Sequence, residues 1–154
     1  MNIFVSAHFE ILELLIKAEV DFMLIGGYAV IYHGYRRTTG DMDLWLKPTN
    51  ENKMKFADAV STLFDTETLD QLRSLNFEET HVFTAGEEPY KVDFLTRVSG
   101  IEYQQAEKNK VIGDIDGLKV AVVHLNDLVI TKMSSDRLKD KLDIQELQKI
   151  AKKK

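Results

Sequence analysis

The sequence of 154 residues has no cysteine, only two prolines and no long uncharged apolar run. Without cysteine there can be no disulfide, no thiolate metal site and no cysteine nucleophile, a composition that suits a reducing cytoplasm. The scarcity of proline, with 44% hydrophobic and 29% charged residues, excludes a disordered chain and fits an ordinary folded one. Nothing approaches the ~18 consecutive apolar residues of a membrane span. The opening MNIFVSAHFEILELLIKAEV lacks a basic lead and carries Glu10 and Glu13, so it does not read as a signal peptide. Positive charge is short as well: a formal net charge of −5 gives no global pull toward nucleic acid, and the final AKKK reads as a solvated end. His8, His33, His81 and His124 show no metal-ligand spacing and read as structural or solvent-facing residues.

What is present reads as one domain over residues 1–154, with strands and helices interleaved. Helical spacing covers 6–19, with Ser6 as a candidate cap, and a short apolar strand over 21–25 ends at Gly26-Gly27. A short helix over 28–33 closes at Gly34, and a strand over 41–46 sets Met42, Leu44 and Leu46 opposite Asp41, Asp43 and Trp45. Helices are expected over 50–64 and 68–75, and strands over 80–84 and 90–96 joined by AGEEP. Residues 101–109 fit either state; a hairpin turns near Asp116-Gly117, and helices over 126–133 and 136–151 close the chain. Ser134-Ser135 reads as the cap of the last helix, not as a nucleophile. The fold class is α/β or α+β with a mixed sheet.

One passage, LIGGYAVIYHGYRRTTGDMDLWL over 24–46, concentrates residue types that packing alone does not require. Asp41 and Asp43, two apart on a strand, share a face with Cα atoms roughly 6.6 Å apart, and their repulsion is relieved by a cation between or beside them. A divalent metal does this, and Mg²⁺ (or Mn²⁺) suits an all-oxygen site that keeps waters and substrate phosphates. An acidic outer face of an edge strand would look the same. Gly26 and Gly27 follow a strand and open a helix, where free N–H groups favour an anion; a tight strand-to-helix turn needs the same residues. Arg36 and Arg37 could offer guanidinium groups to phosphates, or be a solvated loop. Asp93, among Val92, Phe94 and Leu95, is the candidate third carboxylate, able to share a metal and to act as general base; a buried aspartate held by backbone N–H groups is the alternative.

With those residues in hand, the chain resembles the nucleotidyltransferase superfamily, and within it small bacterial proteins related to the AbiEii abortive-infection toxins. The pattern GG-x-A…HG…R-x-T-x-D-x-D is matched by Gly26, Gly27, Ala29, His33, Gly34, Arg37, Thr39, Asp41 and Asp43. The stretches LWLKPTNEN, VDFLTRVSGI and VVHLNDLVITKMSSDRLKDKLDIQEL extend the likeness over nearly the whole chain. It implies a nucleotidyltransferase fold: a mixed sheet flanked by helices and closed by C-terminal helices. It also implies Asp41, Asp43 and Asp93 as catalytic metal ligands, and Gly26, Gly27, Arg36, Arg37, Thr39 and Lys132 near the nucleotide phosphates. Arg137 and Asp140 would brace the last helix against the core. The expected activity is Mg²⁺-dependent transfer of a nucleoside monophosphate from an NTP to an acceptor hydroxyl on RNA (tRNA included) or protein, in the cytoplasm. A toxin–antitoxin or phage-defence role follows from the same likeness, with a cognate antitoxin or a second copy of the chain as partner. The departures are Gly27, where many active members carry serine, and the little chain left after Asp136 to hold an acceptor. A catalytically silent nucleotide- or partner-binding module of the same fold is the alternative.

Overall fold

The structure is a computed structural model that describes residues 6–153. Among these, seven helices and six strands follow in the order α1 (Ser6–Lys17), β1 (Phe22–Ile25), α2 (Gly26–Tyr32), β2 (Met42–Leu46), α3 (Asn50–Ala59), α4 (Thr66–Ser74), β3 (Val82–Ala85), β4 (Val92–Leu95), α5 (Tyr103–Asn109), β5 (Val111–Ile115), β6 (Leu118–Val122), α6 (Leu125–Lys132) and α7 (Leu138–Lys152). The strands form one mixed sheet, β3-β4-β2-β1-β6-β5, parallel at β4–β2 and β1–β6 and antiparallel elsewhere.

Central strands read as continuous apolar runs because both of their faces are covered. All four residues of β1 are buried. In β2 the expected alternation is modified at Trp45, which shares a side with the aspartates yet is 1% exposed. Helix α5 explains this. It occupies the stretch that the sequence left open, and lays Tyr103 edge-on to Trp45 at 5.2 Å, while Trp45 Nε1 donates to the Thr96 carbonyl at 3.3 Å. On the same sheet, Phe56, Phe77, Phe83 and Phe94 form an aromatic cluster with Phe56 and Phe94 at 4.8 Å, a tilted packing that suits ring quadrupoles.

Local chemistry sets the element ends. Asp116 and Gly117 both adopt positive φ (53° and 87°), as a two-residue hairpin loop needs, and join β5 to β6 in the expected place. Thr49 caps α3 by accepting the Asn52 N–H, and Asp65 caps α4 through Thr68 N–H. Helix α3 is shorter than its apolar periodicity implied, closing at Val60 in a turn where Ser61 Oγ donates to the Asp58 carbonyl. The cap position of α1 lies outside the described residues. Ser135 is not the cap of α7. Its hydroxyl accepts the Arg137 N–H at 3.1 Å and donates to Asp140 at 2.6 Å, and the helix begins three residues later, at Leu138.

Candidate active site

Parallel pairing of β2 with β4 sets Asp43 directly beside Asp93, and antiparallel pairing of β2 with β1 sets Asp43 beside Ile25, the last residue before the glycines. Asp41 stands one residue ahead of β2. The three aspartates are thus brought together at one end of adjacent strands, beside a cavity of about 440 Å³ that Gly26, Gly27, Arg37, Thr39 and Lys132 also line.

The glycines are required sterically. Gly26 has a φ of +69°, and a Cβ built on it would run into the Asp43 carboxylate, with Cγ at 2.9 Å; one on Gly27 would collide with the Thr39 side chain. Thr39 in turn donates its hydroxyl to the Asp41 carbonyl at 3.2 Å. The backbone at the start of α2 therefore reaches the acidic side chains without a side chain between them.

The electrostatics of this edge are unbalanced. Burial, then the charges of Asp93 and Asp41, push the Asp43 carboxyl up to about 6, against the weaker pull of Lys132 and Lys91. Asp93 Oδ1 accepts the Thr84 hydroxyl at 2.7 Å, and its Oδ2 lies 3.6 Å from Lys91 Nζ. Lys91 is also 3.7 Å from Asp41 Oδ2 and 3.7 Å from Glu88 Oε1. Glu88, in contact with Asp41, has its carboxyl raised by that contact. Among the described residues three buried side-chain atoms lack a hydrogen-bond partner; two of them, Arg37 Nε and Asp143 Oδ1, face each other as an ion pair at 2.8 Å. The third, Asp41 Oδ1, has nothing.

These donors suit a hard divalent cation: they are carboxylate oxygens, one is buried and unsatisfied, and one aspartate is pushed toward holding a proton by burial and by its acidic neighbours. The side chains as they stand are not closed into a ligand set, since no group of three His, Asp or Glu among the described residues is clustered tightly enough to hold a metal. Lys91 is the cation now placed among them.

The cations expected at the phosphates are otherwise engaged. Arg37 donates a terminal N–H to Asp143 at 3.0 Å and faces the same carboxylate through Nε, as an ion pair at 2.8 Å. Lys132, 9% exposed, is held by Asp140 at 2.9 Å and Asp143 at 3.1 Å. Arg36 is exposed on the loop and lines neither this cavity nor the neighbouring one, because only alternate residues of that extended stretch turn inward. Arg137 donates to Asp140 at 2.8 Å. Burial pushes the Asp140 carboxyl up, but bonds from Ser135, Lys132 and Arg137 outweigh it and hold the group at about 2. A second cavity of about 530 Å³ opens on the other side of Gly26 and Asp43, with Arg97, Ser99, Ser134 and Leu95 in its wall.

Several participants escaped the sequence reading. Glu88 lies in the AGEEP segment that sequence alone gave only a connecting role, Lys91 in the expected strand over 90–96 but with no role assigned to it, and Thr84 on an edge strand. Asp143 is far from Arg37 in sequence; the only signal was a short carboxylate at two positions of a helix otherwise rich in lysine. All four histidines are structural: His8 bonds Tyr28 Oη at 2.8 Å and the Tyr90 carbonyl at 3.1 Å, His33 the Val123 carbonyl, His81 the Asn76 carbonyl, and His124 caps α6.

The family described as "Nucleotidyl transferase of unknown function (DUF2204)" matches residues 5–154, and the chain belongs to it. No curated protein matches the sequence. Similar solved structures include a lincosamide antibiotic adenylyltransferase, LnuA, bound to lincomycin (16% identity, TM-score 0.59, 97% of this chain and 99% of that one). A candidate nucleotidyltransferase of Thermotoga maritima has 14% identity and a TM-score of 0.57 over 98% and 97% of the two chains. The antibiotic-resistance factor ANT(2″)-Ia has 12% identity and a TM-score of 0.56 over 97% and 85%. At these identities the likeness is one of fold. By family the protein is a nucleotidyltransferase, and no helix among the described residues is long and apolar enough to cross a membrane.

Proposed function

We propose that the protein transfers a nucleoside monophosphate from an NTP to an acceptor hydroxyl, with pyrophosphate leaving, in a reaction that depends on Mg²⁺ or Mn²⁺. The observation that carries this reading is the under-compensated carboxylate edge: Asp43 raised to about 6 beside Asp41 and Asp93, with Asp41 Oδ1 buried and unbonded. Asp41, Asp43 and Asp93 would hold the metal. Bound there, it would supply charge neutralisation for the transferred phosphoryl group and the leaving pyrophosphate. Asp93, which accepts the Thr84 hydroxyl, would take the proton of the attacking hydroxyl. The N–H groups at Gly26-Gly27, with Thr39, Lys132 and Arg37 around them, would receive phosphate oxygens, Lys132 and Arg37 exchanging part of their hold on α7 for the nucleotide.

The acceptor we favour is RNA. Residues 137–154 carry seven basic and three acidic residues in a chain of net charge −5. Two of the acids, Asp140 and Asp143, are buried against Lys132 and Arg37, so the outward face of α7 offers Lys141, Lys152 and Lys149, opposed only by Glu146, which pairs with Lys149 at 3.3 Å. Lys139 continues that face into the carboxylate cavity. A cytoplasmic toxin or phage-defence role, with a cognate antitoxin or second copy as partner, is the finer part of the proposal; it rests on the AbiEii-like motif.

The test is calorimetry of ATP, GTP, CTP and UTP with and without Mg²⁺, on the wild type and on Asp41→Asn/Asp43→Asn. Metal-dependent binding lost in the double variant supports the reading and selects the nucleotide for acceptor screens. RNA binding should weaken steeply with salt, with each of Lys141 and Lys149 contributing about one unit of the log–log slope. A second reading, a nucleotide-binding module without turnover, draws on the absence of a closed ligand set. Nucleotide bound but never consumed with any acceptor would favour it.

A further inference from the structure

The segment between β3 and β4 delivers one cation into the acidic edge, and its geometry differs from that of every buried ion pair nearby. Lys132 lies 2.9 and 3.1 Å from its carboxylates, at charge-assisted hydrogen-bond distance. Lys91 stands 3.7 Å from Asp41, 3.6 Å from Asp93 and 3.7 Å from Glu88. It is shared by three carboxylates and closely bonded to none. Its side chain is 30% exposed, so the flexible stem has room to move, and Glu88, 67% exposed, waits on the solvent side at i−3.

We propose that Lys91 is the resident counter-ion of the carboxylate edge, offsetting the repulsion between Asp41 and Asp93 while no divalent cation is bound and giving way toward Glu88 when one binds. This rests on the metal-binding reading above. The ammonium and the metal compete for the same oxygens and repel each other, so metal uptake includes the work of displacing Lys91. The consequence is a site that stays folded when empty and is weaker for free metal than its carboxylates alone would make it. Asp41 Oδ1, buried and without a hydrogen-bond partner, is the oxygen that Lys91 leaves uncompensated.

The test is Mn²⁺ titration of the full chain by calorimetry without nucleotide, on the wild type, Lys91→Met, Lys91→Gln, Lys91→Arg and Asp41→Asn, with melting followed in parallel. Lys91→Met should bind Mn²⁺ about tenfold more tightly than the wild type. It should melt lower without metal and gain more on adding it. Lys91→Arg keeps the charge and should stay near wild type; Lys91→Gln repeats the neutral case if the methionine variant folds poorly. Unchanged or weaker Mn²⁺ binding in the neutral variants, with wild-type binding intact and lost in Asp41→Asn, overturns the role of Lys91 and leaves the metal site standing. No Mn²⁺ uptake by wild type or neutral variants overturns both.

Discussion

Two charge clusters line the same cavity, and they are built to opposite specifications. At the sheet edge, Asp41, Asp93 and Glu88 share a single distant ammonium, one Asp41 oxygen is orphaned and the Asp43 carboxyl is lifted to about 6. Between α7 and the core, Asp140 and Asp143 take short bonds from Lys132, Arg37, Arg137 and Ser135, and Asp140 is held at about 2. The second cluster is complete and serves to fix the last helix. The first is complete only when further positive charge arrives, which is the condition expected of a site and not of a brace.

If that contrast is right, the clusters should respond to mutation in opposite senses. The largest loss of stability is expected from Asp143→Ala, which strands Arg37, its side chain only 12% exposed, and leaves buried Lys132 with Asp140 alone; about 3–5 kcal/mol should disappear in urea unfolding. Asp43→Asn should reduce nucleotidyl transfer by about a hundredfold or more while leaving stability unchanged or higher, because it removes repulsion. A comparable stability loss in both variants would dissolve the distinction.

The pH dependence sharpens it further. The folded protein holds the Asp43 proton up to about 6, whereas the unfolded chain releases it near the ordinary value of 3.8. Stability from this group is therefore greatest below 3.8 and falls as pH rises through 6, by up to about 3 kcal/mol. Asp140 has the reverse sign. Its contribution is full above 3.8 and is lost as pH falls through about 2. Melting temperature against pH should lose its fall between pH 4 and 6 in Asp43→Asn, and in wild type with saturating Mn²⁺, while Asp140→Asn should alter only the acid limb. The smallest effect is expected from Thr84→Val, which removes the one hydrogen bond that orients Asp93; a severalfold drop in turnover with little change in melting would fit.

Much of this edge was legible in the sequence because its parts are local or share a register. The spacing of Asp41 and Asp43 gave a common face, and an apolar run around Asp93 gave a strand; parallel pairing of those two strands then leaves Asp43 and Asp93 side by side. The Asp116-Gly117 turn was legible for the same reason, since its φ demands fall on two adjacent residues. What could not be read depends on contacts between distant segments. Trp45 looked like an outward residue until α5 covered it, and Arg37 looked free because Asp143 is 106 positions away. Arg36 and Arg37 are adjacent and chemically alike, yet only one turns inward; nothing in composition separates them. Glu88 sat in a stretch read only as a connector, and Lys91 in a strand where nothing marked it out.

His8 gives the N-terminal helix a stake in that stretch. Its ring is fully buried, lowered in basicity by that burial, and spans from Tyr28 on α2 to the Tyr90 carbonyl, immediately before Lys91. A change at position 8 is expected to be matched at 28, whose hydroxyl its ring bonds, and at 90, whose ring stands edge-on to it at 6.3 Å. In divergent lineages these positions should be replaced together, as a covarying set whose members lie up to 82 positions apart.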